Sequence, residues 1–220
     1  YIDTLVLAYD RDYFDQIGIV APPITWDELD ENILVLRQMS GKELSHPAFA
    51  IGGSSANISN APDLVNLFLM QSGTAMADEK LRNATFYNEA GRNAFAQYMN
   101  YSNPNLETYT WNKNLLGDIE LFAREGVAGI FVYARQLDII RSKNALLNVG
   151  VGAMPQMSPE SAVNFSDYFG LAVSDKTQHK NIAWDFVVFA ATDQANADEY
   201  FKATSSPPAL RTLIDRYKND

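Results

Sequence analysis

The 220 residues contain no cysteine and only two histidines, His46 and His179. Without cysteine there is no disulfide framework, no thiolate nucleophile and no thiolate-ligated metal centre. The two histidines lie far apart in polar surroundings, so neither a zinc site nor a histidine dyad is expected, and both read as surface residues. Basic residues are also scarce: 17 Lys and Arg stand against 27 Asp and Glu, a formal net charge of -10. A chain so poor in positive charge is not expected to bind nucleic acid or an anionic membrane surface. No apolar run is long enough to cross a bilayer, so these residues are not expected to insert directly into a membrane. No signal peptide or lipidation cysteine is visible near Tyr1, which decides nothing about export, because processing removes such segments. There is no G-x-G-x-x-G, no P-loop and no G-x-S-x-G. Carboxylates abound, but pairs such as Asp27 and Glu28 or Glu120 and Glu125 sit in no catalytic signature. Four Asn-x-Ser/Thr sequons, at Asn57, Asn83, Asn100 and Asn164, are read as chance in an Asn-rich chain. No cofactor is implied.

The 47% hydrophobic content is enough for one or two cores. Residues 4–9, TLVLAY, are apolar on both faces and predict a strand covered on both sides. Thr25-Trp26-Asp27-Glu28 is a capping box, and Leu29, Ile33, Leu36 and Met39 continue it as an amphipathic helix. Phe49–Ile51 reads as a brief strand, Pro62 as the first turn of a helix running to Gly73, and 88–101 as a further helix. Downstream, a helix ends at Gly126, followed by strand 128–133, a turn with Tyr133 and Arg135, another helix, and a strand leading into Met154-Pro155-Gln156. Residues 170–174 predict a compact strand, and 182–190, 193–204 and 210–217 predict helices. Trp26 and Trp184 fall within helical patterns and read as structural. Strands alternate with helices nearly throughout, which defines an α/β chain with a mixed or parallel sheet.

Four places carry candidate binding chemistry. Tyr133 and Arg135 stand at the carboxyl end of a strand, where ligands sit in open α/β sheets; the ring can stack and the guanidinium can donate a fork of hydrogen bonds. The alternative is a buried tyrosine beside a surface arginine. In Tyr109-Thr110-Trp111-Asn112, Trp111 suits the C–H face of a pyranose and Asn112 its hydroxyls; equally, Trp111 anchors the loop and Asn112 caps the next helix. Asp167 and Tyr168, in an aromatic and polar stretch before a strand, offer an acceptor and a ring, or else form an aromatic corner of the core. The loop 52–57 combines glycines with polar Ser54 and Asn57; its glycines suit either a ligand or a tight turn.

Several motifs together resemble extracellular solute-binding proteins of family 1, the sugar-binding components of ABC importers. Thr4–Phe14 is similar to their hinge-crossing strand with its Asp10-Arg11-Asp12-Tyr13-Phe14 continuation. Pro23-Ile24-Thr25-Trp26-Asp27-Glu28-Leu29 resembles their helix start, and Phe122–Phe131 their Phe-x-x-Gly-x-Ala-Met pattern, with Gly129 in place of Met. Val149–Pro155 and Ala183-Trp184-Asp185-Phe186 resemble two further motifs, in the family's order. The resemblance implies a periplasmic-binding-protein type II-like lobe, a mixed sheet with helices on both faces, plus a return segment of the other lobe. It implies that residues 1–159 are the second lobe from the hinge strand onward and 160–220 the hinge return and helices of the first. The N-terminal part of the first lobe would be missing, leaving apolar faces that favour self-association. The implied function is a receptor that captures a sugar or oligosaccharide between two lobes and delivers it to ABC permease subunits, without catalysis. The implied location is extracytoplasmic, in the periplasm or tethered at the cell surface through a missing N-terminus. The implied ligand contacts are Ser54, Asn57, Trp111, Asn112, Tyr133, Arg135, Asp167 and Tyr168. A sensing or adhesion module on the same fold, and an unrecognised carbohydrate-active hydrolase, stand as alternatives.

Overall fold

The apolar run near the start becomes β1 (Ile2–Asp10), in which buried positions largely alternate with half-buried ones. The computed structural model describes residues 1–218. They fall into two compact units: Leu5–Phe165, and Tyr1–Thr4 together with the described part of Ser166–Asp220. β1 contributes residues to both.

In the larger unit, Asp10 caps α1 (Arg11–Ile17), its carboxylate accepting from the amides of Asp12 and Tyr13, and Gly18 ends the helix at φ 88°. Burial pushes the Asp10 carboxyl above its ordinary pKa, against the pull of those two amide bonds. Half of the expected capping box forms at the start of α2 (Trp26–Leu36): Glu28 N donates to Thr25 Oγ1 at 3.2 Å, while the Glu28 carboxylate reaches one residue past the cap and accepts from Ile24 N at 2.8 Å. A small hairpin, β2 (Gln38–Ser40) and β3 (Glu43–His46), follows. Then come α3 (Ala61–Gln71), α4 (Glu89–Asn100) and the short α5 (Asp118–Ala123). β4 (Gly129–Tyr133) is buried at all five positions. A 3-10 turn at Ala134–Gln136, α6 (Leu137–Lys143) and β5 (Val149–Gly152) complete the unit.

The sheet order is β4-β1-β5, with both pairs antiparallel; Leu5 lies opposite Tyr133 and Tyr9 opposite Gly129 in one, and Ala8 opposite Val151 in the other. Parallel pairing is confined to isolated bridges, Phe49 to Gly129 and Thr25 to Gln156. The expected strand at 49–51 is therefore a single bridge. The cause is local: the amides of Ala48 and Phe49 bond the Thr110 side chain instead of a neighbouring strand. The core joins Leu5, Leu7, Phe14, Trp26, Phe49, Phe68, Trp111 and Phe131. Trp26 is structural as expected: its ring lies 4.4 Å from that of Phe68, and its N–H donates to Gln71 Oε1 at 2.7 Å.

In the smaller unit, Ile2–Thr4 pairs antiparallel with β6 (Ser166–Tyr168). The strand expected at 170–174 is irregular; the pairing comes earlier, at Ser166–Tyr168, with Tyr168 opposite Ile2. Three helices follow, α7 (Lys180–Thr192), α8 (Gln194–Thr204) and α9 (Arg211–Tyr217). α8 and α9 are joined through Asp198, which accepts from Lys202 Nζ at 2.8 Å and from the Tyr217 hydroxyl at 2.5 Å. The Phe201 and Tyr217 rings pack at 4.8 Å. α7 buries no residue fully, and Trp184, read from sequence as structural, is 52% exposed.

Candidate ligand-binding site

The carboxyl end of β4 gathers polar side chains from three segments of the larger unit. The Tyr133 hydroxyl donates to Asp63 Oδ2 on α3 at 2.8 Å. The Arg135 guanidinium lies 4.4 Å from the Tyr133 ring centroid, in cation–π geometry. Gln136 Oε1 accepts from the Tyr133 amide at 2.8 Å and from Asn60 Nδ2 at 2.8 Å, while Asn60 also donates to the Phe131 carbonyl at 3.0 Å. Local sequence explains the assembly: Pro62 fits the first turn of α3, so Asn60 and Asp63 bracket a helix start beside a strand end. Asp63 and Gln136 are half-buried, and among the described residues Asp63 Oδ1 and Gln136 Nε2 make no hydrogen bond. One acceptor oxygen and one donor amide thus keep unused capacity beside an aromatic ring and a cation.

A second polar chain adjoins this cluster through the 57–60 segment. Asn57 Nδ2 donates to the carbonyls of Asn112 at 2.9 Å and Leu115 at 3.3 Å. Asp118 accepts from the amide and hydroxyl of Ser59 at 3.0 and 2.7 Å. Asn112 donates to the Tyr109 hydroxyl at 2.9 Å and accepts from the Asn114 amide at 2.9 Å. Trp111 is fully buried, so its indole presents no face to solvent in this conformation, and its N–H has no partner among the described residues. The loop beside it needs its glycines for close packing. Gly52 has φ +85°, and a Cβ there would lie 2.7 Å from Tyr101 Cβ; at Gly53 it would lie 2.8 Å from Trp111 Cδ1. Ser54 is exposed, and its carbonyl accepts from the amides of Asn57 and Ile58.

In the smaller unit, Asp167 lies opposite Asp3 in the β1–β6 pair, and Tyr168 is 70% exposed. Sequence reading reached Tyr133, Arg135, Asn57 and Asn112 but missed Asn60, Asp63 and Gln136. The Asn60-Ala61-Pro62-Asp63 helix start was the available signal for the first two. Gln71 was also missed: it ties α3 to the 155–163 segment, donating to the carbonyls of Pro155 and Val163 at 3.0 Å each. Among the described residues no group of three or more His, Cys, Asp or Glu could hold a metal ion, and no helix is long and apolar enough to cross a membrane.

A mostly antiparallel α/β unit with a polar cluster at the carboxyl end of β4 is a candidate ligand-binding unit. A family model for bacterial extracellular solute-binding proteins matches residues 1–220, and the chain belongs to that family. No curated protein matches it. Among solved structures, it is similar to an ABC transporter solute-binding protein from Thermotoga lettingae bound with α-D-tagatose, at 18% identity and TM-score 0.74, over 100% of this chain and 56% of that one. It is similar to an ABC substrate-binding protein from Listeria monocytogenes in complex with cycloalternan, at 15% identity and TM-score 0.74, over 100% and 54%. A Mycobacterium tuberculosis protein in complex with glycerophosphocholine aligns at 18% identity and TM-score 0.73, over 99% and 52%. At such identities the likeness concerns the fold, and this chain spans little more than half the length of each.

Proposed function

We propose that the chain is part of an extracytoplasmic receptor of an ABC importer, which captures a carbohydrate by hinge closure and presents it to the permease. In this reading residues 1–159 belong to the second lobe and 160–220 return to the first, and the protein binds without catalysing. The observation that carries the ligand class is the β4 cluster: the free capacity of Asp63 Oδ1 and Gln136 Nε2 beside the Arg135 guanidinium, which lies over the buried Tyr133 ring. That combination suits sugar recognition, because vicinal hydroxyls donate and accept at once, while the Tyr133 ring, 2% exposed, supports the site from below and does not stack on the ligand. Family membership over all 220 residues and the tagatose and cycloalternan complexes of similar folds support it. Closure would follow the ligand's preference for the state in which both lobes contact it. Of the sequence-derived contacts, Tyr133 and Arg135 stand nearest this chemistry; Asp167 and Tyr168 are proposed as contributions from the smaller unit.

The test is a thermal-shift panel of mono- and oligosaccharides on the whole protein, with glycerophosphocholine as the competing class and the Asp63→Asn variant alongside. A sugar-dependent rise in Tm that needs about tenfold more ligand in D63N supports the reading, since ligand bound only by the native state stabilises it. No rise with any sugar, or one unaltered in D63N, refutes it; a rise with glycerophosphocholine alone reassigns the ligand class.

A further inference from the structure

The larger unit holds a cavity of about 470 Å³ on the opposite half of α3 from the β4 cluster. Val65 and Leu69 of α3, Phe95 of α4, and Met76 and Phe86 from the connection between these helices form its apolar wall. The connection is pinned, not slack. Thr85 N donates to the Met76 carbonyl at 3.1 Å, Thr85 Oγ1 to the Ala75 carbonyl at 2.7 Å, and Asn83 Nδ2 to Asp78 Oδ2 at 2.7 Å. Gly91 lets it lie against α4, because a Cβ there would clash with the Phe86 carbonyl oxygen. The volume falls in the range of about 300–1,000 Å³ typical of small-molecule sites. Aromatic surface is left open to solvent there: Phe86 is 43% exposed and Phe95 50%.

One cation borders the cavity. The Arg92 guanidinium stands 5.5 Å from the centroid of Tyr87, and both residues line the rim. Among the described residues Arg92 forms no ion pair, although the chain carries 27 acidic side chains; Arg124 and Arg141, by contrast, each pair with a carboxylate on their own helical face. An apolar cavity with an unneutralised guanidinium at its edge matches a ligand with an apolar body and a single negative head. We propose that this cavity binds an amphipathic monoanion, an aryl- or short alkyl-carboxylate, with its body against Leu69, Phe86 and Phe95 and its carboxylate on Arg92. The site is separate from the sugar-binding reading and does not depend on it.

Six methionines occur in the chain, and Met76 lines the cavity. 4-Phenylbutyrate is titrated into the 220-residue chain carrying 13C-methyl methionine and followed by NMR, with calorimetry in parallel. The expected result is a saturable shift of the Met76 methyl, weakened about tenfold in Arg92→Gln, the loss of one charge-assisted contact. Neutral 4-phenylbutanol is expected to bind more weakly and to be indifferent to R92Q. Phe95→Ser, at a half-exposed position, is a second variant expected to fold and to lose the shift. Equal binding by R92Q, equal binding of acid and alcohol, shifts centred on other methionines, or no saturation at Met76 would each overturn the assignment.

Discussion

Thr110 is fully buried, and among the described residues its hydroxyl is the only partner of two backbone amides: Ala48 N donates to Oγ1 at 3.0 Å and Phe49 N at 2.9 Å. The hydroxyl donates in turn to the Phe49 carbonyl at 3.2 Å, which also accepts from Ile51 N at 3.1 Å. Thr110→Val keeps the shape and deletes the oxygen. The Phe49 carbonyl keeps one partner, but two buried amides keep none. Each stranded amide costs about 1–3 kcal/mol, and the added methyl returns about 0.8 kcal/mol, so the net loss is about 3 kcal/mol. Against a typical domain stability of about 5–15 kcal/mol that is a large fraction. Thr110→Ser keeps the hydroxyl, loses one methyl and should cost about 1 kcal/mol. Because the chain has two compact units, one global unfolding constant is not assured. Urea unfolding is therefore read by tryptophan fluorescence in a Trp184→Phe background, leaving Trp26 and Trp111, both buried in the larger unit. In T110V the amides of Ala48 and Phe49 should also lose hydrogen-exchange protection selectively. If T110V is no less stable than T110S, or exchange at those two amides is unaltered, the account of this corner as a side-chain substitute for strand pairing is wrong.

Gly91→Ala should destabilise the larger unit by about 1–3 kcal/mol despite a helix-propensity gain of about 1 kcal/mol, because the new Cβ overlaps the backbone oxygen of Phe86 and the α3–α4 connection must move. Urea midpoints check it, and an unchanged or higher midpoint would count against that geometry. His46 is held below its ordinary pKa of 6.5, first by burial, against the carbonyl of Glu125. A base with a lowered folded pKa takes up fewer protons in the native state, so stability should fall as pH drops from 6.5 toward the folded pKa. His46→Gln should flatten that part of the stability–pH curve, and a slope unchanged in H46Q would refute the assignment.

The elements with strong periodicity were legible because local signals and burial agree in them. β1, the Thr25–Glu28 capping box, α3 with Pro62, and β4 all combine apolar patterning with defined ends. Pairing direction was not legible. The alternation of strands and helices suggests parallel crossovers, whereas β1 meets β4 and β5 antiparallel, through long-range register that no local pattern encodes. The strand expected at 170–174 drew on the apolar pair Leu171 and Val173; pairing instead takes Ser166–Tyr168, which is polar and aromatic. At the candidate site, Tyr133 and Arg135 could be singled out because a strand end is visible in sequence. Gln136 was not, because its carbonyl oxygen acts on Asn60, 76 positions away.

The β4 cluster also constrains how any ligand can bind. The Tyr133 hydroxyl, the Asn60 amide and Gln136 Oε1 are already bonded to one another or to Asp63 and backbone. A ligand hydroxyl that displaced one of these bonds would gain little, since one intramolecular bond would be exchanged for another. The favourable course leaves the network intact and adds to it at Asp63 Oδ1 and Gln136 Nε2, where the ligand replaces water. A network that is satisfied before binding holds those two groups in place, so little ordering entropy is lost when the ligand arrives. It follows that cutting the network should weaken binding without touching the ligand. Tyr133→Phe removes the hydrogen bond that orients Asp63 and leaves both ligand-facing groups present. Its effect on the sugar-dependent rise in Tm should therefore be smaller than that of D63N and in the same direction, whereas an effect larger than D63N would mean that the Tyr133 hydroxyl itself meets the ligand.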